Sequence, residues 1–445
     1  IMQDREGNIW IGTAFSGLYL FYDGAFSNFN NIPALRNNFI TALGATPTAL
    51  LIGTASGLKK VLLDTITKQY FEAPLNINGF ISTSRINCIY QNAIGYWYAA
   101  DENNNIISYE GSFTSGKYDV LTIPQLEANA QITAISEDAA GNLWIGSSTN
   151  GIYVRDKDSW KHLSANDSLS SNDITCLFRD IQGIFWFGSK DAGVMLYDGK
   201  KIKRLTYFDD GLISNHISCI SEDKSGSIWF GSPDAAVCSY DENGFAFYTE
   251  NDVLTSNNVA SLAFDAVGGL WVGLNAGLDY LTFNADSTIT TKHFDAYDGF
   301  IGIKNTNNTI LVDPIGHVWL GTVDGLFRYN PEVDIITQAK PLLELRNIRL
   351  FFEATDWGPY SDTTAGWYNL PVNLSLPYDQ NHLTFDFSAI FFSVHEKITY
   401  QVFMDGFDDD WKDIGNNNSV TYSNLKPGKY VFQVRAKNAD GVWSD

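Results

Sequence analysis

The chain has 445 residues, 44 % of them apolar and 14 % aromatic, and a formal net charge of −22. So acidic a chain is repelled by phosphate backbones, and Lys and Arg gather into no basic stripe, which excludes nucleic acid as a partner. No run of about 18 apolar residues occurs, so no membrane span is expected within these residues.

Aromatic residues with abundant Gly favour strands and turns over helices, and the prediction is an all-β chain. The opening IMQDREGN has no signal-peptide character and reads as the middle of a strand, so the chain is expected to be cut from a longer one. From there one phrase keeps returning: GNIWIGT at 7–13, GNLWIGS at 141–147, GIFWFGS at 183–189, GSIWFGS at 226–232, GGLWVGL at 268–274 and GHVWLGT at 316–322. Aligned on its aromatic, the repeat falls at Trp10, Leu51, Tyr98, Trp144, Trp186, Trp229, Trp271 and Trp319. That spacing is the length of one four-stranded propeller blade, roughly 40–50 residues. Two positions on stands Gly, at 12, 53, 146, 188, 231, 273 and 321, with Ala100 the exception.

One repeat shows the blade. ITAISED (132–138) alternates as a first strand, AAGN turns, LWIGS is a second strand, IYVRD a third and WKHLS a fourth. A meander of such strands has two apolar faces, and closing blades into a ring buries both. Eight repeats predict an eight-bladed propeller over 1–335; a seven-bladed ring with the first repeat left over is the alternative. Trp10, Trp144, Trp186, Trp229, Trp271 and Trp319 read as packing anchors between blades, because a single ligand would not need six copies. The glycine is expected to leave room for a neighbour's ring.

The cysteines fall into the same alignment. Cys88, Cys176 and Cys219 share a small-residue column with Ala134, Ser261 and Thr309 on the innermost strand. They therefore sit in different blades, too far apart for a bond. Cys238 lies on a third strand. Four buried free thiols are predicted, with no disulfide, metal site or cofactor. The histidines (His162, His216, His293, His317, His382 and His395) show no metal-ligand spacing.

The loops leading into the innermost strands are RNNFI (36–40), STSRI (82–86), SSNDI (170–174), ISNHI (213–217) and TSNNV (255–259). In a ring they converge on one mouth, and Ser and Asn suit neutral hydroxylated ligands. The ligand-binding expectation falls on Asn172, Asn215, His216, Asn257 and Arg85. Asp191 and Asp234 join them from the loops between second and third strands, as does Asp324. Capping of turns by the same Ser and Asn is the competing reading.

From about Lys340 the period breaks into longer alternating strands, predicting a β-sandwich of immunoglobulin-like size over 341–445. ITYQVFMDGFDDDW followed by VTYSNLKPGKYVFQVRAKNADGVWS resembles the triple-tyrosine Y_Y_Y domain. Tyr400, Tyr422 and Tyr430 match its signature tyrosines, and Trp411 and Trp443 also fit. DREGNIWIGTAFSGL (4–18) resembles the two-component regulator propeller repeat. LLIGT and WYAAD depart from it, the first lacking the Trp and the second the Gly. In this order the two patterns are similar to the periplasmic sensor half of a hybrid two-component regulator.

The resemblance implies a non-enzymatic region that senses a small-molecule or oligosaccharide ligand in the periplasm. It also implies a histidine kinase output, a membrane helix after the sandwich, and a homodimer formed through the sandwich. Structural packing is the expected role of the three tyrosines. The alternatives are a propeller glycoside hydrolase or lyase, or a protein-interaction scaffold. Against an enzyme, SEDKSGSIW (221–229) resembles the Asp-box of sialidases, which is a turn-stabilising device, and no nucleophile–base constellation accompanies it.

Overall fold

The computed structural model describes all residues of the chain except 16, 22–23, 37, 65–68, 74, 76–82, 93, 111–117, 128, 158, 167–168, 301–303, 333, 335–337, 393–396, 440 and 445. The recurring phrase is held by an aspartate six residues before each tryptophan. Asp223 accepts the indole N–H of Trp229 on Oδ2 at 2.9 Å, while its Oδ1 accepts the turn N–H groups of Ser225 and Ser227. Asp138–Trp144, Asp180–Trp186, Asp265–Trp271 and Asp313–Trp319 repeat the bond at 2.8–3.2 Å. One carboxylate thus closes the turn and fixes the ring that packs the blade. Burial pushes the Asp223 carboxyl up, but the bonds from Ser225, Trp229 and Ser227 outweigh it and hold it below the usual carboxylate range.

Residues Gly24–Val333 form one unit. Among its described residues are seven four-stranded antiparallel sheets. The first blade is Ile40–Ala45, Ala49–Thr54, Gly57–Leu63 and Tyr70–Glu72, and the second is Ile86–Gln91, Tyr96–Asp101, Ile106–Glu110 and Tyr118–Leu121. The third is Ile132–Glu137, Leu143–Ser147, Ile152–Asp156 and Ser159–Leu163, and the fourth is Ile174–Arg179, Phe185–Ser189, Val194–Tyr197 and Ile202–Leu205. Cys219–Glu222, Ile228–Ser232, Ala236–Asp241 and Gly244–Tyr248 make the fifth; Val259–Phe264, Leu270–Leu274, Leu278–Phe283 and Ile289–Phe294 make the sixth. The seventh has Asn305–Val312, Val318–Thr322 and Gly325–Tyr329, and its outer strand is Phe26–Asn28, from the other end of the unit. The innermost strands touch in succession, the seventh returning to the first, so the ring is closed.

The ring closed among the described residues has seven blades, the alternative expected with the first repeat left over, and not eight over 1–335. The fourth strand of the first repeat pairs with the last blade, Tyr329 facing Phe26. The rest of that repeat, Met2–Gln3, Ile9–Gly12 and Leu18–Phe21, forms a three-stranded sheet that belongs to a second unit with residues 334–445. Trp10 is accordingly not an anchor between blades. It is half-buried, donates to Asp4 and packs edge-on against Phe392 at 5.4 Å.

The other five expected anchors are buried in clusters that span neighbouring blades, for example Trp144 with Ile174 and Phe185, and Trp186 with Ile217 and Phe230. The glycine two residues on makes room for an aliphatic side chain, not a ring. A Cβ at Gly146 would stand 2.9 Å from Ile174 Cγ2 of the next blade, and one at Gly231 would stand 2.8 Å from Val259 Cγ1. It would also strike the small residue across the strand, Cys176 for Gly188 and Cys219 for Gly231. All four cysteines are free, and burial pushes the thiols of Cys88, Cys176 and Cys238 up to about 12.

In the second unit, a sheet ordered Glu353–Ala354, Leu342–Leu350, Leu383–Ile390, Ser419–Tyr422 and another ordered Lys412–Gly415, Thr399–Asp405, Val431–Lys437 share one core. Phe385 stacks on Phe432 at 4.0 Å within it. Tyr400 Oη accepts the Ala389 N–H at 3.0 Å, Tyr422 donates to Asp408 at 2.7 Å, and Tyr430 donates to the Lys426 carbonyl at 2.8 Å. Arg435 lies between Trp411 and Trp443, its guanidinium 4.2 and 4.3 Å from their ring centres. The first repeat joins this unit through Arg5, which donates to the Lys340 and Ile390 carbonyls, and Glu6, which accepts the Phe392 N–H.

Candidate functional site

Each innermost strand presents alternate residues to the ring's axis, and the blades stack these in tiers. At the rim the same position holds Phe39, Arg85, Gln131, Asp173, His216, Asn258 and Lys304. Two residues further in stand Thr41, Asn87, Thr133, Thr175, Ser218 and Ala260, with Thr306 in the seventh blade. The third tier is aliphatic throughout: Leu43, Ile89, Ile135, Leu177, Ile220, Leu262 and Ile310.

The middle tier ties blade to blade. Thr133 Oγ1 donates to the Ile174 carbonyl at 2.7 Å, Thr175 to Ile217 at 2.5 Å, Ser218 to Val259 at 2.8 Å and Thr306 to Ile40 at 2.7 Å. Asn87 does the same work through Gln131 Oε1 at 3.0 Å. Thr41 stands apart: its hydroxyl oxygen is buried and unpartnered among the described residues.

The seventh blade breaks the symmetry. Between Ile132 and Ile135 of the third blade lie two residues, whereas four lie between the equivalent Asn305 and Ile310. The two-residue insertion is Asn307–Asn308, both exposed, with Asn308 in the left-handed region at φ 54°. Asn308 Nδ2 reaches across the ring to the Ser218 carbonyl of the fifth blade at 3.1 Å. Asn305, in the slot that holds Ile or Val elsewhere, is anchored by Nδ2 bonds to the Leu274 and Gly277 carbonyls.

Around these tiers lies a cavity of about 980 Å³. Its rim comes from the seventh, first, second and third blades: polar Lys304, Arg85, Glu102 and Gln131, with the ring of Phe39 among them. Asp173, His216 and Asn258, the rim residues of the other three blades, do not line it. Cys88 and Cys176 are among its lining residues, but burial holds their thiols protonated, so they are poor nucleophiles at neutral pH.

Of the eight expected loop residues, Arg85 lines this cavity, its guanidinium 5.1 Å from the Phe39 ring centre, while Asp324 is exposed, its N–H donated to Thr322 Oγ1 at 3.1 Å. Asn172, Asn215 and Asn257 lie elsewhere and share one structural duty. Their side-chain oxygens accept the N–H groups of Ala165, Tyr207 and Glu250 at 2.7–2.9 Å, clamping the loop after the fourth strand. Their carbonyls accept from Gly151, Gly193 and Ala236, holding the turn between second and third strands. His216 Nδ1 meets Asp234 Oδ2 at 3.0 Å, both partly exposed. Asp191 is exposed near Asp173, whose carboxyl burial pushes up, Lys190 drawing it down and Asp191 up again. Asn37, Ser82 and His395 lie outside the described residues.

The residues that do line the cavity were readable as a column. I-T-A, I-N-C, I-T-C and I-S-C recur at the head of the first five blades, V-A-S heads the sixth, and N-T-N-N-T interrupts the series in the seventh.

Comparison with known proteins meets this architecture from both ends. The two component regulator propeller model matches residues 126–149, 168–191 and 211–234, and the Y_Y_Y domain model matches 392–445. The regulator-repeat matches thus fall on the third, fourth and fifth blades, and the Y_Y_Y match falls on the C-terminal part of the second unit. It is similar to histidine kinase P4 of Formosa agariphila, 24 % identical over 189 residues, which are 42 % of this chain and 14 % of that protein. The extracellular domain of a hybrid two-component system from B. thetaiotaomicron has the same fold, with a TM-score of 0.80 at 21 % identity over 100 % of this chain and 60 % of that one. The chain thus spans only part of the length of either relative. A virginiamycin B lyase from Staphylococcus aureus shares the propeller fold at 12 % identity over 68 % of this chain and 97 % of its own, with a TM-score of 0.52.

Proposed function

We propose that this chain is the extracytoplasmic sensing region of a hybrid two-component histidine kinase, and that its ligand, an oligosaccharide, binds in the central cavity of the propeller. The observation that carries the reading is that cavity: about 980 Å³, polar at the rim, aliphatic at depth, and interrupted by an amide-bearing insertion. That combination suits a ligand with hydroxyls to satisfy and apolar ring faces to bury. The regulator repeats and the Y_Y_Y domain support a sensing role over a catalytic one. No helix among the described residues is long and apolar enough to cross a membrane. In the whole protein the Y_Y_Y unit relays binding toward a membrane segment, and pairing of two such units, a homodimer, brings kinase halves together.

A ligand that binds only the folded state raises its melting temperature. The test is a thermal-shift screen against an oligosaccharide panel, repeated on Asn307→Trp, which fills the cavity from an exposed position. A hit lost in the filled variant is the expected result. A hit that survives it, or turnover of a panel sugar, overturns the reading.

A further inference from the structure

The cavity's rim carries more positive charge than its surroundings account for. Arg85 and Lys304 both line it, in a chain whose net charge is −22. Among the described residues the Arg85 guanidinium has no hydrogen bond or ion pair, only the face of Phe39, and Lys304 Nζ has none either. The one carboxylate in the lining, Glu102, accepts the backbone N–H of Arg85 at 3.3 Å. Deeper in the same lobe, Thr41 is 8 % exposed with its Oγ1 unpartnered, although the hydroxyls of Thr133, Thr175, Ser218 and Thr306 in the same tier each donate to a carbonyl. Asn307 places a second polar side chain in the lobe, without a partner among the described residues. Across the ring Asn308 is already committed to Ser218, so these groups gather on the side of the seventh, first and second blades.

Two uncompensated cations, an unsatisfied buried hydroxyl and a free amide ask for a ligand that supplies negative charge and hydroxyl groups together. Resting on the cavity being the ligand site, we infer that the propeller selects anionic saccharides, those bearing a carboxylate or sulfate, over neutral ones. Arg85 and Lys304 take the anionic group, and Thr41 with Asn307 takes sugar hydroxyls. Guanidinium–carboxylate and guanidinium–sulfate contacts are charge-assisted and directional, which gives selectivity as well as affinity.

The test is calorimetric titration of the chain with four probes: a galacturonate trimer, a sulfated chondroitin disaccharide, xylotriose and maltotriose. The two acidic probes distinguish carboxylate from sulfate. The expected result is that at least one of them binds about tenfold or more tightly than the neutral pair, as one charge-assisted contact would give. Arg85→Gln and Lys304→Gln, both at exposed positions, should each reduce that preference, Glu102→Gln should increase it, and added salt should weaken it. Unliganded melting temperatures close to the parent's show that the variants fold. Neutral probes binding as tightly as acidic ones, with Arg85→Gln and Lys304→Gln silent, would overturn the charge inference and leave the cavity reading standing. Binding of no probe, or binding untouched by Asn307→Trp, would count against both.

Discussion

Replacing Trp229 by Ala removes the ring that joins the fifth and sixth blades. Trp229 is 4 % exposed, stacks on Tyr248 at 4.8 Å, and meets Phe264 and Phe283 of the sixth blade edge-on at 5.4 Å. Burial of about 200 Å² of aromatic surface at about 25 cal/mol/Å² gives an upper figure of about 5 kcal/mol. Observed losses for such truncations run to about 3–5 kcal/mol once a cavity remains. For a domain of this size each kcal/mol lowers the melting temperature by about 2 °C, so a fall of about 6–10 °C is expected. Trp229→Phe keeps most of the ring but deprives Asp223 Oδ2 of its 2.9 Å donor, for a cost of about 1–3 kcal/mol. That variant also alters the acid limb. Because the Asp223 carboxyl is held low in the fold, its contribution is present above the unfolded value of about 3.9 and lost as pH falls through the folded one. With the indole donor gone the depression shrinks, and the acid loss with it. Thermal melts at pH 7 and pH 3 measure both effects. A Trp229→Ala melt within about 2 °C of the parent would refute the anchoring argument.

The four thiols should resist a thiol reagent in the native chain and all react after unfolding without reductant; a count below four would contradict the free assignment. Since burial raises their folded values to about 12 for three of them, their contribution is intact below the unfolded value of about 8.5 and is lost as pH rises above it, so the melting temperature should decline on the alkaline side. Asn215→Ala removes the clamp on the Tyr207 N–H and should cost about 1 kcal/mol of stability while leaving ligand affinity unchanged; an affinity loss without a stability loss would return it to the binding site. Tyr422→Phe strips Asp408 of its 2.7 Å donor and should destabilise the Y_Y_Y unit by about 1–3 kcal/mol in a denaturant melt.

The repeat period and the tryptophan slots are legible because each blade reuses the same local physics, a carboxylate-closed turn feeding an anchoring ring. The ring's closure is not, because pairing of Phe26–Asn28 with Gly325–Tyr329 joins residues some three hundred positions apart, and no local pattern marks a strand as belonging elsewhere. The room beside each glycine is readable as room, but what fills it, an aliphatic from the next blade, depends on the ring's geometry. The loop asparagines show the limit most plainly. Ser-Asn before a strand looks the same whether its amide clamps a loop or meets a ligand, and three of these amides clamp loops. The insertion N-T-N-N-T was visible as a departure from the I-T-A series, but its reach across the ring to Ser218 required three dimensions.

The most direct test is a crystal structure of the chain with a saccharide found by the thermal-shift screen. The account predicts the ligand in the cavity of the propeller, against Phe39, Arg85, Gln131 and Asn307, with Asn172, Asn215 and Asn257 still holding their loops. A saccharide bound anywhere outside that cavity, with the cavity empty, would contradict it.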